Sequence, residues 1–286
     1  MLSFGVEMKT DLKLPPEFAG AVWHHDLALR PYEAPRKYHT HDELEVNLVR
    51  RGTARYLIRG RSFELRADTL IWLFPEQEHV LVDFSADYIH WVVLFKPSLV
   101  TQLCTADHAK VLTNPDPPEY FARRLEHQAA RKLHGLFEEL VKCDDDPPRF
   151  NAGLGYSLLS AWQAFRSTQD SFEGLDIHPA VEKAARLLRD GGDDLGLEAL
   201  AKQAGLSPKR LGRLFKKQTG VPLTMYRNRL RLRRFLDAYG SGQRVNMLEA
   251  ALTSGFGSYP QFHRIFRELV GCSPAEYKRR QETERD

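Results

Sequence analysis

Four side chains that can ligate a metal or line a polar pocket stand in the first third of the chain. His39, His41 and Glu45 lie within the run HTHDELE, and His79 follows on a separate segment. Imidazole nitrogens and a carboxylate suit a divalent ion of intermediate softness. The same groups, hydrogen-bonded to one another, would make a polar pocket wall or an ordinary core. The residues leave both readings open: no cofactor is expected, with a divalent metal as the alternative.

A second set is basic. Lys202 to Leu236 carries 11 Lys or Arg and no Asp or Glu. Residues 1–175 hold 20 basic against 25 acidic side chains, a net of −5, whereas residues 176–286 hold 21 against 13, a net of +8. Such asymmetry joins an acidic module to one that faces a polyanion. Three cysteines, Cys104, Cys143 and Cys272, are too few and too scattered for a disulfide framework or a cysteine zinc site. No apolar run reaches the roughly 20 residues that span a bilayer. Met1 to Thr10 does not read as a signal peptide. The expectation is a cytoplasmic protein without a membrane partner.

The elements that must position these groups change character along the chain. Short apolar or alternating runs predict strands at Glu45–Leu48, Ala54–Ile58, Thr69–Phe74 and His90–Phe95, punctuated by Gly52, Gly60, Pro75 and Pro97. Their spacing is that of a sandwich or small barrel. No strand leads into a glycine-rich turn and helix, which excludes a dinucleotide fold. From Glu119 the period becomes helical through Phe121, Leu125, Leu133, Leu136, Phe137 and Leu140. The run Asp144 to Pro148 must end that helix, and a second is predicted over Leu154 to Arg166. A linker follows. From His178 the chain reads as about seven helical pieces.

Two stretches of this last region resemble each other. With Ala201 set on Ala251, Gly205 matches Gly255 and Leu206 matches Phe256; after a one-residue offset Leu211 meets Phe262, Phe215 meets Phe266 and Gly220 meets Gly271. Each copy is a short helix, a glycine turn and a longer helix starting at a serine, Ser207 or Ser258, expected to cap it. That is the pattern of helix-turn-helix. Leu211, Leu214 and Phe215 in one copy, and Phe262, Ile265 and Phe266 in the other, mark a docked face. The outer faces carry Lys209, Arg210, Arg213, Lys216 and Lys217, and Tyr259, Gln261, His263, Arg264 and Arg267. Arg213 and Arg264 have the reach for guanine edges. Lys216, Lys217 and Arg267 lie farther along, where phosphate contacts are natural.

His178 to Arg280 resembles the DNA-binding domain of the AraC/XylS family of bacterial transcription regulators. Phe262, Arg264, Phe266, Gly271, Ser273-Pro274 and Tyr277 carry the strongest part of the signature. The resemblance implies two helix-turn-helix units joined by a long helix, here Leu223 to Tyr239, reading adjacent major-groove segments. Two positions depart from the family pattern: Ala250 replaces a larger aliphatic, and Phe235 occupies a usually small position. In the first region, His39, His41, Glu45 and His79 resemble cupin motifs, with Gly52 at the family spacing. The glycines usual before His39, at Asp68 and at Gln77 are absent.

The expected fold is therefore an α+β two-domain chain. Residues 1–118 form a cupin-like β-barrel with accessory helices, 119–175 a helical dimerisation region and linker, and 176–286 an all-α double helix-turn-helix domain. The expected effector wall is Arg36, His39, His41, Glu45, Trp72, His79 and Trp91. The expected function is sequence-specific transcription regulation through double-stranded DNA, with a small-molecule effector, a homodimer and RNA polymerase as further partners. The alternatives are a metal-dependent cupin enzyme using His39, His41, Glu45 and His79, and a nonspecific nucleic-acid binder. The first leaves the duplicated units unexplained. The second leaves the matched arginines unexplained.

The charge distribution makes a testable statement. Fragment 176–286 will bind duplex DNA with an affinity that falls steeply with salt, the log-log slope being about −0.9 per phosphate neutralised. A salt-independent affinity measured by fluorescence anisotropy would contradict it.

Overall fold

Strand Leu44–Arg51 breaks the usual alternation because both its faces are covered. From Leu44 to Val49 every residue is buried, and the exposed arginines begin only at Arg50. The computed structural model describes residues 12–26, 41–143, 145–170, 174–189, 195–240 and 246–283. The described residues up to Asp176 make one compact unit, and those from Ile177 a second.

The first unit holds strands β1 (Gly20–Asp26), β2 (Leu44–Arg51), β3 (Thr53–Ile58), β4 (Arg61–Arg66), β5 (Thr69–Leu73), β6 (His79–Phe84), β7 (Ile89–Phe95), β8 (Phe121–Arg124) and β9 (Leu175–Asp176). They pair in two antiparallel sheets, β1-β7-β2-β5-β8 and β6-β3-β4-β9. The expected cupin-like barrel is thereby corrected: neither sheet closes. Closure requires hydrogen bonding to run unbroken around the ring, whereas β1 and β8 end one ladder and β6 and β9 the other. The sheets stack instead. Val49, Ile71, Leu73 and Ala122 of the first share a core with Ala54, Tyr56, Ile58, Phe63 and Leu65 of the second. Gly52 turns β2 into β3 with φ +75°, and a Cβ there would lie 2.7 Å from the Tyr88 Cα.

The other face of the first sheet carries helices α1 (Pro97–Leu103), α2 (His127–Val141) and α3 (Pro147–Ser167). Leu44, Val46, Leu48, Leu70, Trp72, Trp91, Val93 and Phe95 pack there with Leu133, Phe137, Leu154, Leu158 and Trp162. The helix expected from Phe121 starts six residues later, because Phe121–Arg124 pairs with β5 as its edge partner. Phe121 and Leu125 are four apart, a helical spacing, but an open sheet edge beside them takes up their backbone groups. Arg123 on β8 donates to the Phe165 carbonyl at 2.7 Å and the Thr168 carbonyl at 2.8 Å, capping the end of α3. At the other end of α3 the Asp146 carboxylate accepts from the Arg149 amide, with prolines in the first turn. The run that ends α2 therefore starts α3.

The second unit contains the expected pieces: α4 (Pro179–Arg189), α5 (Leu197–Gln203), α6 (Pro208–Thr219), α7 (Leu223–Gly240), α8 (Met247–Thr253), α9 (Tyr259–Val270) and α10 (Pro274–Thr283). Phe215 sits 5.4 Å from the Tyr226 ring in the first half. In the second half Phe235 lies 4.5 Å from Phe262 and 5.8 Å from Phe266. Phe235, Ala250 and Ala251 belong to this one fully buried cluster. The two departures from the family pattern thus offset each other: a large side chain from α7 fills the core where α8 presents small ones.

That volume exchange predicts non-additivity. Phe235→Ala will cost about 3–5 kcal/mol. Ala250→Leu alone will overpack and cost about 1–3 kcal/mol. The double variant will be more stable than the sum of the two losses predicts. Denaturant unfolding of fragment 176–286 followed by circular dichroism measures all three, and strict additivity would refute the exchange.

Candidate nucleic-acid interface and effector site

The two helix-turn-helix units are built alike down to single backbone bonds. In the first turn the Leu206 amide donates to the Ala201 carbonyl at 2.9 Å; in the second Phe256 donates to Ala251 at 3.2 Å. Gly205 and Gly255 hold φ of +77° and +91°, in the left-handed region that favours glycine. The longer helices α6 and α9 have 12 residues each. Each stops at a left-handed glycine, Gly220 or Gly271, whose amide returns to Lys216 or Arg267. Leu211 and Phe215, and Phe262, Ile265 and Phe266, are buried.

The outward faces differ. Lys209, Arg210, Arg213, Lys216 and Lys217 are all exposed on α6. On α9, Tyr259, Arg264 and Arg267 are exposed, whereas Gln261 and His263 are half-buried. The serine caps also differ. Ser258 accepts from the Gln261 amide at 3.4 Å, and the Gln261 side chain accepts in turn from the Gly257 amide at 2.9 Å. Ser207 makes no side-chain cap bond; only its carbonyl takes the first helical bond, from Leu211. Arg264 stands 3.7 Å from Glu268 in an exposed pair worth only tenths of a kcal/mol, so it can exchange that partner for a base. Arg213 meets Lys217, not an acid, at the same spacing.

The joining helix is less of a polyanion surface than its charge count implies. Arg234 donates to the Leu188 carbonyl in the last turn of α4, Arg227 to the Leu195 carbonyl, and Arg233 pairs with Asp237. Cations at carbonyl ends of helices are favoured electrostatically. Charge along a sequence does not reveal that use.

In the first unit the structure brings His41, Glu45 and His79 together, with ligand atoms all within 4.8 Å of one another. Glu45 projects from β2 into the space between the sheets. His41 Nε2 lies 2.9 Å from Glu45 Oε2, and His79 Nε2 lies 3.9 Å from the same oxygen. Asn47 donates to Glu45 Oε1 at 2.8 Å and stands 3.5 Å from the Tyr56 hydroxyl. The Gln77 carbonyl, 2.9 Å from His79 Nδ1, turns the other ring nitrogen toward Glu45. Burial disfavours a charged His41, but the hydrogen bond and charge of Glu45, with Glu43 nearby, outweigh it and raise the imidazole pKa. Burial pushes the Tyr88 phenol well above its ordinary value. His41 also lines a cavity of about 370 Å³ at the end of the first sheet.

Arg36 and His39 lie outside the described residues. Trp72 and Trp91 lie elsewhere than the cluster. Register sets Trp72 opposite Val46 and Trp91 opposite Leu48. Cross-strand partners share a face, and Val46 and Leu48 face the helices while Glu45 faces the second sheet. Trp72 accordingly packs edge-on to Trp162 at 5.8 Å, and Trp91 stands 6.0 Å from Phe137. Asn47 and Gln77 were not legible as parts of the cluster. The one available signal was Asn47, a polar residue two beyond Glu45 on an otherwise apolar strand.

Residues 27–159 match the AraC-like ligand binding domain, and residues 200–280 match a helix-turn-helix domain. The chain belongs to the AraC/XylS-type transcription regulators. It is 22% identical over 245 residues to the HTH-type transcriptional activator RhaS of Mannheimia succiniciproducens, covering 84% of this chain and 88% of that protein. It is 33% identical over 167 residues to the uncharacterized transcriptional regulatory protein YesN of Bacillus subtilis, covering 57% of this chain but only 43% of that one. A fatty-acid-bound structure of ToxT from Vibrio cholerae aligns over 90% of this chain and 94% of its own at 13% identity, with a TM-score of 0.37. The regulator is thus a DNA-binding protein with a ligand-binding type of first domain. No helix among the described residues is long and apolar enough to cross a membrane.

The donor set of the cluster fits a divalent metal. Two imidazoles and a carboxylate can approach one ion at about 2.0–2.2 Å with small side-chain rotations, and the Gln77 carbonyl supplies the outer contact that orients a histidine ligand. Such an ion would tie the two sheets together. If the cluster is a metal site, equilibrium dialysis of the regulator against Zn²⁺ will retain about one ion per chain, lost in His41→Ala and His79→Ala. Retention unchanged in both variants would show that any bound ion sits elsewhere.

Proposed function

We propose that this regulator reads DNA with α6 and α9 in adjacent major-groove segments, as a cytoplasmic homodimer whose affinity for its operator responds to a small molecule held in the first unit. The observation that carries the reading is the pair of matched units, each with a buried apolar face and an outward basic one. A major groove admits one such helix. Arg213 and Arg264 stand six residues beyond their serines, at equal depth, with buried neighbours holding each helix. They read guanine edges. Lys216, Lys217 and Arg267 lie a turn farther on and hold phosphates, and Lys209, Arg210, Tyr259 and His263 complete the contact. Gln261 contributes chiefly by holding the start of α9, since its side-chain oxygen is engaged there.

The helices of the first unit support the dimer. Leu133, Phe137, Leu140, Leu158, Trp162 and Phe165 are buried against the sheet. Tyr156 and Leu159 are 64% and 42% exposed, on the face of α3 turned away from that core. A symmetric partner would cover them. The relatives named as transcriptional activators favour RNA polymerase as a further partner.

Binding to a panel of single-base operator variants at fixed salt tests the assignments. Arg213→Ala and Arg264→Ala will each lose about 1–3 kcal/mol of discrimination at one distinct base step, about one helical turn apart. Lys217→Ala will weaken all sequences alike and make the salt slope less negative by about 0.9. Arginine variants that keep the full preference profile would move base reading to other residues or to DNA shape.

A further inference from the structure

We infer that Gly212 lets a base edge come against the backbone of α6, and that the group seated there is the C5 methyl of a thymine. The inference rests on the reading that α6 lies in a major groove, and it adds a position read by fit to those read by charge.

Glycine is the least favourable residue of a helix interior after proline, and Gly212 is the fifth of the 12 residues of α6. Neither usual reason for a glycine applies within the folded chain. Gly205 and Gly220, on either side of α6, hold φ of +77° and +80°, whereas Gly212 is ordinary right-handed helix. No neighbour claims the space either. Apart from its chain neighbours and its own helix backbone, a Cβ on Gly212 would meet no atom within 4 Å. The same atom on Gly155 of α3 would stand 2.8 Å from the Leu103 side chain. The space over Gly212 is therefore left open to whatever lies alongside the helix.

Its position on the helix turns that space toward DNA. Leu211, Phe215 and Thr219, four apart, are the buried line of α6. Lys209, Gly212, Arg213 and Lys216, three and four apart, form the next face round, and its three cations are exposed. The row carries a lysine at each end, the base-reading arginine, and a bare Cα between them. Close approach of the backbone to a ligand is a use that glycine serves better than any other residue. What the opening offers is carbon: the Gly212 Cα and the stems of Lys209 and Lys216. On the major-groove edges the thymine methyl is the group that takes apolar contact rather than a hydrogen bond. The second unit fills the matched place. On the offset that sets Arg213 on Arg264, Gly212 meets His263, half-buried with its ring 6.3 Å from Tyr259. An imidazole brings hydrogen-bonding nitrogens to its base step. Alike in their arginines, the two helices differ here, α9 reading by hydrogen bonds and α6 by fit.

Exchanging a methyl between protein and DNA tests this. The full chain selects duplexes from a random pool, and each thymine of the selected site is replaced in turn by deoxyuracil, which lacks the methyl. Uracil at one step will weaken the wild type about fourfold. Gly212→Ala will bind the thymine site about tenfold more weakly than the wild type does. It will bind the uracil site better than the thymine site, because its own methyl takes the vacated place. Followed by circular dichroism, Gly212→Ala will melt no earlier than the wild type, since alanine is the better helix former and meets no clash. Gly135 of α2 is also an interior helix glycine with open space, and Gly135→Ala will leave the uracil profile as it is. The inference falls if no uracil step weakens the wild type, or if Gly212→Ala binds the thymine site as tightly as the wild type does. It falls equally if uracil costs both proteins alike, or if Gly135→Ala shifts the profile as much. Arg213→Ala on the same duplexes separates the two readings. Lost discrimination there beside a neutral Gly212→Ala rejects the methyl contact and keeps α6 in the groove. No change of profile in either variant rejects the placement of α6 and the methyl contact with it.

Discussion

Glu45 places a carboxylate between two sheets, where it is 8% exposed. A buried charge without partners costs several kcal/mol, so the neighbouring structure is arranged around it. His41 and Asn47 each take one of its oxygens, and His79 arrives from the opposite sheet, oriented by Gln77. The arrangement requires β2 to be central and covered on both faces. It fixes the strand's register, because a slip of one residue would turn Glu45 toward Trp72 and the helices and drive Val46 into the polar cluster. It also fixes His41 at the rim of the cavity. The register of β2, the approach of His41 and His79 to Glu45, and the place of His41 at the cavity thus depend on one desolvated carboxylate and the groups that satisfy it.

The second unit is held mainly by apolar packing, and its function depends on the contrast between faces. Rings from α7 and α9 fill the second core around Phe235, which frees the outer face of α9 from any structural duty except at its start. The arginines of α7 serve the fold as much as the ligand: Arg234 and Arg227 tie the joining helix to carbonyls at the end of α4 and before α5. They hold α7 against the first half of the unit. Affinity for a polyanion and the rigidity needed to read it are drawn from the same residue type.

The two units were not equally legible. Helical period, serine starts and glycine stops are local signals, and the helices of the second unit appear where those signals put them. Strands β2, β3, β5 and β7 were also visible as apolar runs. Strands β1, β4, β6, β8 and β9 were not: β1, β6, β8 and β9 end their sheets and are held by one partner strand each, and β4 is interrupted by the charges of Arg61, Glu64 and Arg66. Phe121 and Leu125 show the conflict most clearly, being spaced for a helix and held in and beside a strand.

Composition and spacing by themselves determined the division into an acidic β-rich part and a basic helical part, the duplicated helix-turn-helix, and the outward arginines. They also determined the residue types able to meet in the first unit, His41, Glu45 and His79. Those conclusions rest on local periodicity, on turns that need glycine, and on charges that do not change with folding. Only the tertiary structure decided that two sheets stack without closing, that Trp72 and Trp91 face the helices, that Gln261 serves a turn, and that Phe235 and Ala250 exchange volume. Each of those depends on which strand or helix lies alongside, and pairing between distant segments is set by the whole core rather than by any window of sequence.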